Sequence, residues 1–163
     1  MAAYIQLPGI DGEVDDADHK KWVEVNAISL PIHRSISSDA RGIGRQNGET
    51  SLGDLVVTKT WDTSTPKFAA YCASGKFLDT VTVHLCSNLS GKNVVNMELK
   101  LSNVVISSYS YSASGDQSPV PSECVTLNYT KIEWKYNKYD EMGNSAGSVP
   151  AMYDSETNEV SGN

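Results

Sequence analysis

The 163-residue chain lacks the features that mark several protein classes. Its three cysteines, Cys72, Cys86 and Cys124, form no Cys-x-x-Cys pair, so neither a zinc ribbon nor a dithiol redox motif is predicted, and we expect reduced thiols. The longest apolar run, residues 68–73, falls well short of the roughly 20 residues that cross a bilayer. The chain opens on Met1-Ala2-Ala3-Tyr4 without a basic or apolar leader, so no cleaved signal peptide is expected.

Positive charge is also scarce. Thirteen basic residues against 20 acidic residues leave a net charge of −7, and no run rich in Lys or Arg occurs. This balance argues against a nucleic-acid partner and against insertion into an anionic membrane. The length fits one domain, which we predict to span residues 1–154. Residues 155–163 have little apolar content and are predicted to form a flexible C-terminal tail.

Period-2 alternation dominates the chain and predicts about seven β-strands. In residues 22–30 it places Val23, Val25 and Ala27 on one face, whereas Ile28 and Leu30 fall on the other. Strands that are apolar on both faces suggest that another subunit covers part of the outer surface. The predicted fold is therefore mainly β: a single small β-barrel of two packed antiparallel sheets with one short flanking helix.

Two local signals refine this prediction. A helix is expected to begin at Ser64 or Thr65, with Pro66 in its first turn, and to end at Gly75 in a left-handed conformation. Near the C-terminus the apolar positions change parity after Tyr129, which predicts a bulge or sharp bend near residues 130–131.

No catalytic, cofactor or metal motif is found. The acidic cluster that starts at Asp11 fails the helix-loop-helix calcium pattern, because Asp16 stands where that pattern needs glycine. His19, His33 and His84 lack metal-ligand spacing. We expect His19 to tie the acidic loop to the following strand and His84 to be a surface residue.

Three blocks of sequence, in the same order, resemble the haemolysin-coregulated protein family. They are Ile10-Asp11-Gly12-Glu13 with His19 and Trp22, then residues 51–59 (SLGDLVVTK), and finally residues 123–136 (ECVTLNYTKIEWKY). That family supplies the secreted tube subunits of bacterial type VI secretion systems.

The resemblance implies a β-barrel that assembles into hexameric rings, which stack into a hollow tube. A contractile sheath expels such tubes, a spike protein caps them, and effector proteins travel in the lumen. It further implies a protein without enzymatic activity, made in the cytoplasm and exported without a cleaved signal peptide.

The resemblance also assigns candidate site residues. Residues 35–53, which lack any hydrophobic period and read as a long loop, match the family's extended ring-stacking loop, with Arg41, Arg45 and Glu49 as the contact residues. Ser29, on the predicted face of Val23, is the candidate lumen-facing residue.

Other interpretations stay open at this point. The long loop is a disordered segment in one of them. The chain as a whole is either a monomeric barrel that binds a small ligand or a non-extended secreted effector. Monomeric behaviour with a stable cavity would favour the ligand-binding barrel, and hydrolase turnover would favour an effector enzyme.

Overall fold

The computed structural model describes residues 1–36, 47–116 and 120–162 and confirms the predicted class: mainly β, two sheets and one helix. The strand count is higher than predicted. The twelve strands are β1 (Ala2–Gln6), β2 (Val23–Val25), β3 (Ala27–Ser29), β4 (Ile32–Ile36), β5 (Asn47–Leu52), β6 (Leu55–Thr60), β7 (Phe77–Leu89), β8 (Lys92–Ser112), β9 (Ser122–Asn128), β10 (Lys131–Tyr139), β11 (Ser145–Asp154) and β12 (Glu159–Ser161), and α1 is Thr65–Ser74.

The main sheet closes on itself around β8. This strand pairs with β7 along one side and with β10 and β9 along the other, all antiparallel. The circuit then runs from β9 through β6 to β3, and from β7 through β1 to β2. Asn26 joins β2 to β3 and donates its backbone N–H to the carbonyl of Thr58, 2.7 Å away. Strands β10, β11 and β12 continue outward from this barrel.

A shared bend crosses three neighbouring strands. Buried side chains on one face normally recur every two residues, but here they step by three: Leu78 to Val81, Leu101 to Val104, and Tyr129 to Ile132. The steps lie at one level of the sheet, because β7 and β10 both oppose Ser102 of β8. The predicted bend near residues 130–131 is therefore confirmed, and it separates β9, which pairs with β6, from β10, which pairs with β11.

The same parity change corrects the prediction for residues 22–30. Val23 and Val25 are buried in the core, whereas Ala27 is exposed and Ile28 packs against the core. The predicted common face of Val23, Val25 and Ala27 is wrong, because the chain bends at Asn26 between β2 and β3. Apolar residues of both parities thus serve one core in this segment, and its two-faced pattern is no evidence for a covering subunit.

Helix α1 has the predicted boundaries but lacks the predicted N-cap hydrogen bond. Pro66 lies in its first turn, and Gly75 ends it at φ 65°, donating its N–H to Tyr71 and Cys72. The Ser64 hydroxyl does not cap the free amides; it donates instead to Asp62, whose carboxylate also accepts the Ser64 N–H at 2.8 Å. With ten residues, α1 is too short to span a membrane, and the described part of the chain contains no helix that is long and apolar enough to do so.

The second sheet is the hairpin of β4 and β5. The sequence predicts an unstructured loop over residues 35–53, but β4 and β5 pair from Ile32–Leu52 to Ile36–Asn47, so both arms of this loop are strand. The β4 arm is exposed throughout. In the predicted tail, Glu159–Ser161 pairs with the end of β11. The division into residues 1–154 and a flexible tail stays a prediction.

Candidate functional site

The hairpin of β4 and β5 forms a sheet separate from the barrel. Its own contacts stabilise it: Arg34 donates to the Gly48 carbonyl at 2.9 Å and to the Thr50 hydroxyl at 2.8 Å. At its base, Tyr129 of the barrel donates to the Gly53 carbonyl at 3.0 Å. Burial raises the pKa of this tyrosine to about 12, so it stays a donor across the physiological range.

The structure brings together only part of the predicted site. Glu49 lies exposed on β5, while Arg41 and Arg45 lie outside the described residues. Ser29 lies exposed on β3, opposite Val56. It does not share the face of Val23, which is buried in the core, so the geometric reason for choosing it was wrong. Its lumen-facing role stays a prediction from the resemblance alone.

A buried ion pair, not found from the sequence, anchors α1 to the barrel. Lys59 of β6 and Glu123 of β9 oppose each other across the two strands and are almost fully buried. The Lys59 ammonium donates to Glu123, to Asp62 at 3.0 Å and to the Thr60 carbonyl at 2.8 Å. Glu123 also accepts from Thr65 at 3.0 Å, which ties the start of α1 to β9.

The sequence did contain a signal for this pair. Lys59 is in phase with Leu55 and Val57, and Glu123 is in phase with Val125 and Leu127, so each charge falls on the apolar face of its strand. Opposite charges on two core faces are expected to pair, because an unpaired buried charge is costly. Tyr109 completes the network by donating to Glu123 at 2.5 Å, and burial, followed by the effect of this carboxylate, raises the pKa of that tyrosine.

His19 and His84 form a second polar cluster outside the barrel. His19 is buried and ties the acidic connection down as predicted, but to β7 rather than to the following strand: its Nε2 lies 2.9 Å from Nδ1 of His84. The prediction that His84 is a simple surface residue is wrong, because it also contacts Glu98 at 2.8 Å and Trp22 across 4.6 Å between ring centroids.

All three cysteines are free, and only Cys86, beside His19, is fully buried.

Several large apolar side chains remain exposed and meet in pairs. Tyr136 of β10 opposes Val149 of β11, with 48% and 67% of their surfaces exposed. Trp61 and Tyr111 meet edge to face, 5.2 Å between centroids. Paired apolar side chains at the surface are typical of an interface with another molecule.

The barrel interior leaves little room for a ligand. Side chains from every wall strand fill it, among them the fully buried Val23, Leu55, Val81, Leu101 and Leu127. In the described ranges, no three His, Cys, Asp or Glu side chains are arranged to hold a metal ion. The molecule is thus a filled β-barrel that carries a separate two-stranded hairpin and several exposed apolar side chains.

The chain belongs to the Hcp family of type VI secretion proteins. The family model described as "Type VI secretion system effector, Hcp" matches residues 4–136. A solved type six secretion system protein is similar at 28% identity and a TM-score of 0.91, covering 98% of both chains. No curated protein sequence matches this chain.

Two further crystal structures share the fold. Hcp1 from Salmonella typhimurium has 24% identity and a TM-score of 0.77, over 98% of this chain and 97% of its own. A type VI secretion system effector from Yersinia pestis has 22% identity and a TM-score of 0.69, over 93% and 98%.

Proposed function

We propose that this chain is a structural subunit of the type VI secretion tube, which forms hexameric rings that stack into a hollow, secreted tube and carry effector cargo in the lumen. The family membership over residues 4–136 carries the proposal. Its partners are further copies of the chain, the contractile sheath, the spike protein and effector proteins. The protein acts through its surfaces and has no enzymatic role.

The hairpin supports this proposal on physical grounds. An isolated two-stranded hairpin is at best marginally stable in water. Within the described residues, β4 and β5 pair with no other strand, and Ile36 at the end of β4 is 51% exposed. A second molecule seated against the hairpin would bury this apolar surface. This is the role that the family's extended loop has between stacked rings, with Arg41, Arg45 and Glu49 as its contact residues.

The mass of the purified protein tests the proposal directly. We expect light scattering after size-exclusion chromatography to give about six times the 17.7 kDa protomer, and electron micrographs to show annular particles. A single species of protomer mass at every concentration would contradict the ring and favour a monomeric barrel. In bacteria, export by the sheath machine should stop when the gene is deleted and resume when it is restored.

A matched pair of variants tests which surface assembles. Val149→Lys places a charge in the exposed apolar pair with Tyr136, and we expect it to shift the particles toward protomers, because burying an unpaired charge opposes association. Ser148→Lys adds the same charge to the opposite face of β11 and serves as control. Normal rings from Val149→Lys would exclude this pair from the interface.

A further inference from the structure

Four titratable side chains form a continuous chain of contacts on the outside of the barrel. Asp16 Oδ1 lies 2.9 Å from His19 Nδ1, and His19 Nε2 lies 2.9 Å from His84 Nδ1. His84 Nε2 in turn lies 2.8 Å from Glu98 Oε2. The chain joins the acidic connection, residues 11–22, to β7 and β8, which are distant in sequence.

The number of protons in this chain follows from its geometry. An ionised carboxylate only accepts hydrogen bonds, so the ring nitrogens that face Asp16 and Glu98 must each carry a hydrogen. The two remaining nitrogens, 2.9 Å apart, need one hydrogen between them. Three hydrogens on four ring nitrogens make one of the two rings an imidazolium.

We propose that Asp16, His19, His84 and Glu98 form a proton-dependent latch that holds the acidic connection on the outer face of β1, β7 and β8 and opens on acidification. The latch is complete when the two imidazoles hold one excess proton. A second excess proton makes both facing nitrogens donors, and the central hydrogen bond is lost. If the latch instead loses its single excess proton, His19 Nε2 and His84 Nδ1 face each other with a lone pair each, so alkaline solution also weakens the latch.

The surroundings keep His84 in its neutral form. Burial lowers the pKa of His84; the hydrogen bond and charge of Glu98 oppose this effect, and the positive charge of His19 adds to it. His84 is therefore neutral, accepts from His19 at Nδ1 and donates to Glu98 at Nε2. The pKa of Asp16 is lowered, chiefly by its hydrogen bond from His19. Although burial raises the pKa of Glu98, its hydrogen bond with His84 and nearby positive charges lower it overall.

The other charged and titratable groups around the cluster come from every element packed against it. Tyr4 stacks on the His19 ring with centroids 4.5 Å apart, and Cys86 lies beneath at 4.0 Å from Nε2. The remaining groups that act on members of the cluster are Asp18, Glu24, Lys100 and Lys135. Burial raises the pKa of Tyr4 and that of Cys86, so both side chains stay neutral, and His84 is the group whose charge changes in mild acid.

The direction of the pH effect follows from the lowered pKa of His84. The ordinary pKa of a histidine is 6.5, and that of His84 is lower in the folded protein. Such a base stabilises the fold at pH values above its ordinary pKa, and this contribution is lost as the pH falls through its pKa in the folded protein. The latch is therefore closed at neutral pH and opens in mild acid. Internal backbone hydrogen bonds of the connection, such as Gly12 N–H to Lys21 at 2.8 Å, do not titrate, but they open more readily once the latch no longer holds the connection against the barrel.

Nitrogen-15 NMR of the histidine rings in the assembled protein tests the proton positions. At neutral pH we expect His84 to carry its hydrogen on Nε2 alone and to accept the central hydrogen bond at Nδ1. Glu98→Gln gives a sharper result, because an amide can donate to Nε2 of His84. This ring should then switch to the Nδ1–H form, donate to His19 and remove the need for the excess proton. If both rings are neutral in the wild type, or if His84 carries its hydrogen on Nδ1 there, the assignment is wrong.

Amide hydrogen exchange tests the opening. We expect protection of the acidic connection to fall about tenfold from about pH 7.5 to about pH 5, after correction for intrinsic exchange, as one hydrogen bond is lost. In His84→Gln, whose amide does not titrate, the fall should disappear. His33→Gln, the same change at an exposed position on β4, is the control and should keep it. An equal fall in His84→Gln and the control, or no fall in the wild type, would overturn the latch.

Discussion

The buried lysine offers the most decisive test of how this barrel is stabilised. Lys59→Met keeps the length of the side chain but removes its charge and its hydrogen bonds. Glu123 then remains almost fully buried, and among the described residues the hydroxyl groups of Thr65 and Tyr109 are its remaining side-chain donors. Breaking a buried ion pair by removing one partner typically costs about 3–5 kcal/mol. Because a domain is stabilised by only about 5–15 kcal/mol, a loss of this size is a large fraction of the total.

Urea unfolding followed by tryptophan fluorescence measures this loss, at one fixed protomer concentration because assembly adds to apparent stability. A change of this size should also lower the melting temperature by roughly 6–20 °C for a chain of this length. Lys67→Met, on the exposed side of α1, is the matched control and should change stability by less than about 0.5 kcal/mol.

A double variant separates the pair from mere packing. Lys59→Met combined with Glu123→Leu removes both charges, so the combined loss should be smaller than the sum of the two single losses. If Lys59→Met is no more destabilising than Lys67→Met, the argument from buried charge is refuted. Strict additivity in the double variant would show that the two side chains act independently, although they oppose each other across β6 and β9.

Two smaller effects should be resolved by the same unfolding assay. Gly75→Ala should destabilise the protein by about 1 kcal/mol: the residue has φ 65° at the end of α1, and open space around it means that backbone strain alone sets the cost. Tyr129→Phe should also cost about 1 kcal/mol, because the Gly53 carbonyl loses its donor at the base of the hairpin. An unchanged free energy of unfolding would contradict the backbone strain argued for Gly75→Ala, or the hydrogen bond argued for Tyr129→Phe.

Much of the fold was predictable from local patterns, whereas the predictions that failed had two causes. The helix ends, the bend after Tyr129 and the mainly β class each depend on a signal within a few residues. The predicted face of Ala27 was wrong because the period-2 alternation was extended across the bend at Asn26. The predicted environment of His84 was wrong because the loop that covers it, which carries His19, comes from a distant part of the chain. Period-2 reasoning holds only while a strand stays regular.

The predicted ring-stacking residues show a different limit. Their roles came from the family resemblance, and no local pattern marks Glu49 or Ser29 as interface residues. Residues 35–53 lack period-2 alternation, which suggested a loop. The two arms of this segment nevertheless form a two-stranded sheet that is exposed along β4. In such an exposed sheet the periodicity of the side chains is only weakly constrained. A hairpin that packs against another molecule has little reason to carry the apolar alternation of a barrel strand.

The bends also change the physical argument for assembly. In β8 the apolar residues of both parities, such as Leu101 and Val104, are buried in one core because the strand turns over at Asn103, whose φ is +55°. Two-faced strands therefore do not by themselves require a covering subunit. The evidence for a covering subunit comes instead from apolar side chains that remain exposed although the strands bend, above all Tyr136 on β10 and Val149 on β11. Assembly of this chain should accordingly depend on the exposed apolar part of these two strands and on the hairpin.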